Sequence, residues 1–308
     1  MASWLWPKEF GFLQYLRLKA IAILFRSLGF LSDPFRIRRQ RQLVSPKVRQ
    51  ERVQIPSRDK GRFIAGDLYY PPGYTSSSPA PILIHWHGSG FVIQYLRLDA
   101  LFCSRIAEEA GIVVLDADYR KAPEHPFPCA PQDAEDVLRW RVAVSGFSSG
   151  ATLSLVAATV LRKKLSHVVN VPLVISVYPA TDFTIPVEEK TVPNPVRTLP
   201  APVLRFFRDA YVPNEAVRSN PAASPAFVDP ADFPDTTAIL AADGDTLWPE
   251  ADALAEKLKD NGRNVVKHVF RGVAHGFDKR VAEGSLEWTR REELVGISVK
   301  LLKQAFRL

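Results

Sequence analysis

"RVAVSGFSSG", residues 141–150, joins an apolar run, Val142 to Ser145, to a turn of glycines and serines, and an Ala/Leu/Val-rich segment, Ser149 to Lys163, follows. The pattern reads as strand, sharp turn and helix. In that setting Gly146 and Gly150 relieve crowding at a strained turn and leave the Ser148 hydroxyl exposed above a sheet. The helix N-terminus offers backbone N–H groups where an oxyanion would form. Outside it, G-x-S-x-G is only a glycine-rich connection. A serine of ordinary acidity is a weak nucleophile, so the reading needs a base and a group that orients the base.

Working outward, strands and helices alternate. Arg52 to Pro56 and Arg62 to Tyr70 read as strands joined by the turn "RDKG", and Ile82 to Trp86, Ile112 to Ala117, Leu173 to Tyr178, Thr237 to Ala242 and Val265 to Phe270 as further strands. Helices are expected over 100–110, closed by Gly111, and over 131–140, 149–163, 250–259 and 286–306, with a shorter piece at 203–210 inside a proline-rich stretch, 183–234. The alternation predicts an α/β fold: a mostly parallel sheet with helices on both faces, as one domain over 1–308, since no linker divides it.

Six histidines could supply a base. His275, in "GVAHGF", lies in a loop between a strand and the last helix, whereas His268 falls inside a strand. Asp245, in "DGDTLWPE", follows another strand, with Asp243 as a close rival two residues earlier. The strand "ILIHW" leads into His87-Gly88-Ser89-Gly90-Phe91, where small residues would let backbone N–H groups approach a tetrahedral intermediate. His85 and His87 form an H-x-H pair expected on one strand face. No convincing third ligand accompanies it, so no metal is expected.

"HGSGF", "DADYRKAPEHPFP", "GFSSG", "DGDTL" and "HGF", in this order, resemble the hormone-sensitive-lipase-like branch of the α/β-hydrolases, its fungal esterases in particular. The resemblance runs from about 80 to 280. It implies an esterase or lipase with Ser148 as nucleophile, His275 as general base and acid and Asp245 as orienter, in the chain order such sheets impose. It implies an oxyanion hole of the N–H groups of Ser89, Gly90 and Ser149, supported by His87, Gly88, Gly146 and Gly150. Ser89 and Ala151 each stand where the family usually has glycine. Glu124 and His125 would tie the loop beneath the site, and segments 1–45 and 183–215 would form a helical cap. A small-molecule ester is the implied substrate, with no cofactor. A non-catalytic receptor on the same fold and an amidase or formamidase are the alternatives.

The net charge of +7 comes with a basic run, Arg36, Arg38, Arg39, Arg41, Lys47 and Arg49, but no motif for nucleic acid, and no nucleic-acid partner is expected. Two cysteines, Cys103 and Cys129, fit neither a metal site nor a disulfide framework and lean towards a reducing, cytoplasmic setting. Residues 9–31 are rich in Phe, Leu and Ile, yet the longest apolar run, Ala20 to Phe25, is too short to span a bilayer. Two expectations follow for that segment: a helix packed over the site, or peripheral membrane contact aided by the arginines. Finally, Trp140 abuts Arg141 with no turn residue between helix and strand. Either the helix ends near Val137 or a loop has been deleted. Deletion is the expectation, and with it impaired stability and activity.

Overall fold

The computed structural model describes residues 7–75, 77, 80–138, 142–166, 169–279 and 281–308, without the side chains of 28–37 and 39–41. Eight strands make one sheet: β1 (Arg49–Pro56), β2 (Phe63–Tyr70), β3 (Ile82–Trp86), β4 (Val113–Ala117), β5 (Val142–Phe147), β6 (Leu173–Val177), β7 (Thr236–Ala242) and β8 (Val265–Phe270), in the order β1-β2-β4-β3-β5-β6-β7-β8. β1 and β2 form an antiparallel hairpin, and β2 is antiparallel to β4; the rest of the sheet is parallel. The chain order reverses between β3 and β5. Connections leave those two strands in opposite directions, which opens a crevice at their carboxyl ends.

Parallel pairing requires crossovers, and helices supply them on both faces: α2 (Ala100–Ala110), α3 (Cys129–Val137), α4 (Ser149–Val156), α5 (Ala201–Tyr211) and α6 (Trp248–Asp260); α7 (Leu286–Phe306) follows the last strand, and α1 (Phe12–Gln42) precedes the first. Alternation along β5 explains its continuous apolar run. Val142 and Val144 enter one core with Ile84, Trp86 and Leu153, and Ala143 and Phe147 enter the other with Leu83, Phe102 and Leu294.

Two helices differ from expectation. The helix expected over 131–140 spans 129–137, and its C-cap is Leu138. The Trp140–Arg141 join lies outside the described residues, but the helix end at Val137 matches the earlier of the two expected endings. The helix expected over 149–163 is interrupted after α4 by a π-helical stretch, Ala157–Leu161. There Thr159 Oγ1 donates to the Leu155 carbonyl at 2.7 Å, a bond that competes with the regular ladder.

A third apolar cluster holds α1 in place. Phe10, Leu18 and Ala22 pack with Val92, Ile93, Ala122, Phe206 and Ala210, and Phe25 stacks on Phe206 at 5.3 Å. The opposite face of α1 leaves Leu13, Leu16, Ile23 and Leu24 exposed. Among the described residues no helix is long and apolar enough to cross a membrane.

Candidate active site

Ser148 occupies the turn between β5 and α4 with φ 52° and ψ −120°, a region that non-glycine residues rarely adopt. Its neighbours make the turn possible. A Cβ on Gly146 would lie 2.1 Å from the Gly150 carbonyl oxygen, and one on Gly150 would lie 2.0 Å from the Trp86 carbonyl oxygen. No larger residue fits either place. The Ser148 N–H donates to the Val177 carbonyl at 2.9 Å, which fixes the turn to β6.

His275 stands in the turn after β8 and Asp245 just beyond β7, so three loops from the same edge of the sheet converge. His275 Nε2 lies 2.9 Å from Ser148 Oγ, and its Nδ1 lies 2.7 Å from Asp245 Oδ2. Asp245 is buried, and its other oxygen accepts from the Leu247 N–H at 3.0 Å. This pattern places the imidazole proton on Nδ1 and leaves Nε2 to accept from the serine. The rival, Asp243, points elsewhere and accepts from the Gly272 N–H at 2.7 Å. His268 sits in β8, 3.0 Å from Glu293 and away from the serine.

The loop after β3 lies against the turn at Ser148: a Cβ on Gly88 would sit 2.9 Å from the Phe147 carbonyl oxygen and 3.1 Å from Ser148 Cβ. The three expected N–H donors are not equivalent. That of Ser89 already donates to Ser149 Oγ at 2.8 Å. The N–H groups of Gly90 and Ser149 have no hydrogen-bond partner among the described residues.

Tyr119, in the "DADYR" stretch, carries a role that sequence reasoning did not single out. Its hydroxyl donates to the His87 carbonyl at 2.8 Å and lies 2.7 Å from Ser89 Oγ and 3.1 Å from Ser149 Oγ. It thus ties the loop after β3 to the start of α4. Its ring stacks on that of His87, whose burial pushes it down to about 3, so His87 packs as a neutral ring.

Below His275 runs a buried ionic chain. The Tyr178 ring meets His275 edge-on at 4.7 Å, and its hydroxyl donates to Asp278 Oδ1 at 2.6 Å. Lys279 pairs with Asp278 and, at 2.6 Å, with Asp99 Oδ1, while Asp99 Oδ2 lies 2.9 Å from His85 Nε2. Burial opposes the Lys279 charge, but Asp278 and Asp99 outweigh it and raise its pKa. Asp99 is held low by Lys279 and His85 in spite of its burial. The chain braces the His275 turn against α2 and β3.

β3 ends at Trp86, so His87 belongs to the loop and the H-x-H pair does not act together. His85 packs on Phe102 and Phe147 instead. It lies near Cys103 and Asp116, the three ligand atoms within 4.8 Å of one another. That trio suits a metal poorly. Both His85 nitrogens are engaged, Nδ1 with Ser145 Oγ at 2.9 Å, and burial pushes the Cys103 thiol and the Asp116 carboxyl up, away from their ligating forms.

Above Ser148 a cavity of 410 Å³ is walled mainly by apolar groups, among them Phe91, Phe147, Phe183, Leu204, Phe207 and Leu247. α5 reaches over it far enough that a Cβ on Gly90 would lie 2.6 Å from the Phe207 ring. α1 lies behind α5 and is tied to the loop after β4. Glu124 accepts from Arg26 Nη2 at 2.9 Å and from Lys19, and Arg26 Nη2 also donates to the carbonyls of Val92 (3.0 Å) and Ala122 (2.9 Å). Although burial opposes it, these cations hold the Glu124 carboxyl at about 2. The expected partner in that loop, His125, is exposed, and its backbone N–H donates to the Lys121 carbonyl at 3.0 Å.

Comparison with known proteins matches residues 83–279 to the family described as the alpha/beta hydrolase fold, a span that contains the elbow, the relay and the loop after β3. The chain belongs to the α/β-hydrolase family. Within it the chain falls in the hormone-sensitive-lipase-like branch that its motifs resemble. It is 29% identical to an ethyl acetate hydrolase of Pseudomonas putida over 238 residues, which cover 73% of this chain and 74% of that protein. It is 30% identical over 229 residues to an AB hydrolase superfamily protein of Schizosaccharomyces pombe, covering 68% of this chain and 66% of the relative. For the carboxylic ester hydrolase LipN of Mycobacterium tuberculosis the identity is 29%, over 68% of this chain and 59% of LipN, so the match spans less than two thirds of the last two relatives. Among solved structures, a hyperthermophilic esterase from the archaeon Pyrobaculum calidifontis superposes with a TM-score of 0.76 at 24% identity, over 96% of this chain and 98% of that one. At that identity the likeness speaks to the α/β-hydrolase fold.

Proposed function

We propose that the protein is a serine carboxylic-ester hydrolase that works through an acyl-enzyme. The observation that carries this reading is the unbroken relay Ser148–His275–Asp245, with links of 2.9 and 2.7 Å, on the floor of an apolar cavity. Ser148 Oγ attacks the ester carbonyl while His275 Nε2 takes its proton. Asp245 holds the ring in the required tautomer and offsets the imidazolium charge. The carbonyl oxygen becomes an oxyanion beside the free N–H groups of Gly90 and Ser149, each worth about 3 kcal/mol by analogy with other such donors. The alkoxide leaves with the proton from His275. Water, deprotonated in turn by His275, then releases the acid and restores the serine. The relatives' names, an ethyl acetate hydrolase and a carboxylic ester hydrolase, support the same substrate class.

A receptor on this fold would need the cavity but not the relay, so the intact relay favours turnover. The decisive comparison is hydrolysis of p-nitrophenyl butyrate and of the matching anilide by the protein and by Ser148→Ala. The ester should be cleaved and the variant should lose on the order of 10³-fold or more in kcat/KM. Faster cleavage of the anilide would assign an amidase instead, and full activity in the variant would end the assignment.

A further inference from the structure

The cavity above Ser148 is apolar in area but not in charge. Lys190, Arg197, Arg208 and Lys279 all contribute to its wall, and no aspartate or glutamate is among its described lining residues. Each cation has an acidic partner outside the wall: Glu250 for Lys190, Glu287 for Arg197, Asp209 for Arg208, and Asp99 with Asp278 for Lys279. In each ion pair the basic residue lines the substrate space and its acidic partner stands outside it. The start of α4 adds its own positive end at Ser148. A low-dielectric cavity lined by one sign of charge focuses its field on whatever enters.

The four cations differ in what they still have to offer. The Lys190 ammonium already serves the Asp182 carbonyl and Glu250, Lys279 is locked in the chain beneath His275, and Arg197 is 64% exposed. Arg208 is different. Its side chain is only 14% exposed, its Nε donates to Asp209 at 3.0 Å, and Nη1 and Nη2 have no partner among the described residues and are not among the sealed-off polar atoms. The Asp209 oxygen that it uses is shared with Arg218 at 3.1 Å, which further divides the compensating charge. Leu204, Phe207 and Arg208 stand at i, i+3 and i+4 on α5, one helix face turned to the cavity. Phe207 on that face approaches Gly90, and Arg208 and Gly90 line the same cavity.

A planar fork with two free donors in a mainly apolar cavity is suited to a carboxylate, which it can hold bidentately. We infer that the ester this cavity takes carries a carboxylate on its acyl or its alcohol half, and that Arg208 binds it. This rests on the ester-hydrolase reading and narrows it to a substrate class. Attack by Ser148 and release by water proceed as for any ester, and the products are an alcohol and an acid, one of which bears the second carboxylate. A neutral ester of the same shape leaves the fork unpaired inside the cavity, and such a loss is a strong basis for discrimination.

The experiment uses two matched pairs at low and high salt. Monoethyl glutarate is compared with the ester in which isopropyl replaces its carboxylate, and the acetate ester of γ-hydroxybutyrate with its isopropyl counterpart. In one pair the anionic member should lead by about tenfold or more in kcat/KM, the lead should shrink as salt rises, and the pair concerned tells which half carries the charge. Arg208→Gln should cut that ratio about tenfold, and Arg208→Lys should restore part of it. Ratios at or below one in both pairs, or a ratio that Arg208→Gln leaves in place, would overturn the inference while the hydrolase reading stood. If neither kind of ester were cleaved, the hydrolase reading would fail, and calorimetric titration of Ser148→Ala with the two anionic esters would decide the rest. Binding that weakens in Ser148→Ala/Arg208→Gln supports the anion site, and absence of binding overturns it. Should Arg208→Gln not fold, the salt dependence and the Arg208→Lys variant decide between the same outcomes.

Discussion

Glu124 is where the N-terminal helix is fastened to the hydrolase body, and removing its charge should loosen α1 in a pH-dependent way. Its carboxylate is 23% exposed and meets Arg26 and Lys19 across the interface. Those cations bring its pKa from 4.5 to about 2. If the unfolded chain titrates near 4.5, the difference corresponds to roughly 3 kcal/mol of linkage, and partial exposure screens that to about 1–2 kcal/mol. A carboxyl with a depressed folded-state pKa contributes fully above its unfolded value and loses the contribution as pH falls through the folded one. The gap between the protein and Glu124→Gln should therefore be about 1–2 kcal/mol at neutral pH and shrink by roughly half near pH 3. Urea unfolding followed by tryptophan fluorescence at several pH values measures it. A gap that is the same at pH 3 and pH 7, or none at either, would show that this ion pair does not fasten α1.

Replacement of Asp245 by Asn should cost on the order of 10³–10⁴ in kcat, since the ring would lose its tautomer, whereas Asp243→Asn should cost far less because that carboxylate serves the Gly272 N–H; steady-state hydrolysis separates the two. Tyr119→Phe removes the hydroxyl shared by His87, Ser89 and Ser149, and should lower stability by about 1–3 kcal/mol and kcat more than KM is raised. Peripheral membrane contact, proposed for the exposed stripe Leu13, Leu16, Ile23 and Leu24, predicts co-sedimentation with anionic vesicles that weakens in Ile23→Ser/Leu24→Ser; equal binding by both forms would dismiss the stripe. Expression beside a variant with a polar loop inserted between Trp140 and Arg141 tests the proposed impairment: the longer form should melt higher and turn over faster, and equal values would remove the idea.

How much of the fold and the site is legible in the sequence depends on how local each signal is. The elbow glycines, the strand ends and the order of Ser148, Asp245 and His275 are local, and the structure brings those residues together. The choice between Asp243 and Asp245 is open on pattern alone, because both follow β7. Their side chains part only through the turn, one towards Gly272 and one towards His275. The use of the Ser89 N–H by Ser149 Oγ depends on two segments 60 residues apart, and no periodicity encodes it. Tyr119 and Lys279 are illegible for the same reason: one bridges β4 to the elbow, and the other bridges the His275 turn to α2. The earlier end of α3 is a boundary effect, since Leu138 is apolar and buried and continues the helical pattern past the point where the backbone leaves it.

The most direct test of the central claim is to treat the protein with a fluorophosphonate and locate the adduct by peptide mass spectrometry while ester hydrolysis is followed in the same sample. The relay geometry predicts one adduct per chain, on Ser148, with activity lost in proportion and no labelling of His275→Ala at the same rate. Labelling elsewhere, or hydrolysis that survives full modification of Ser148, would contradict it.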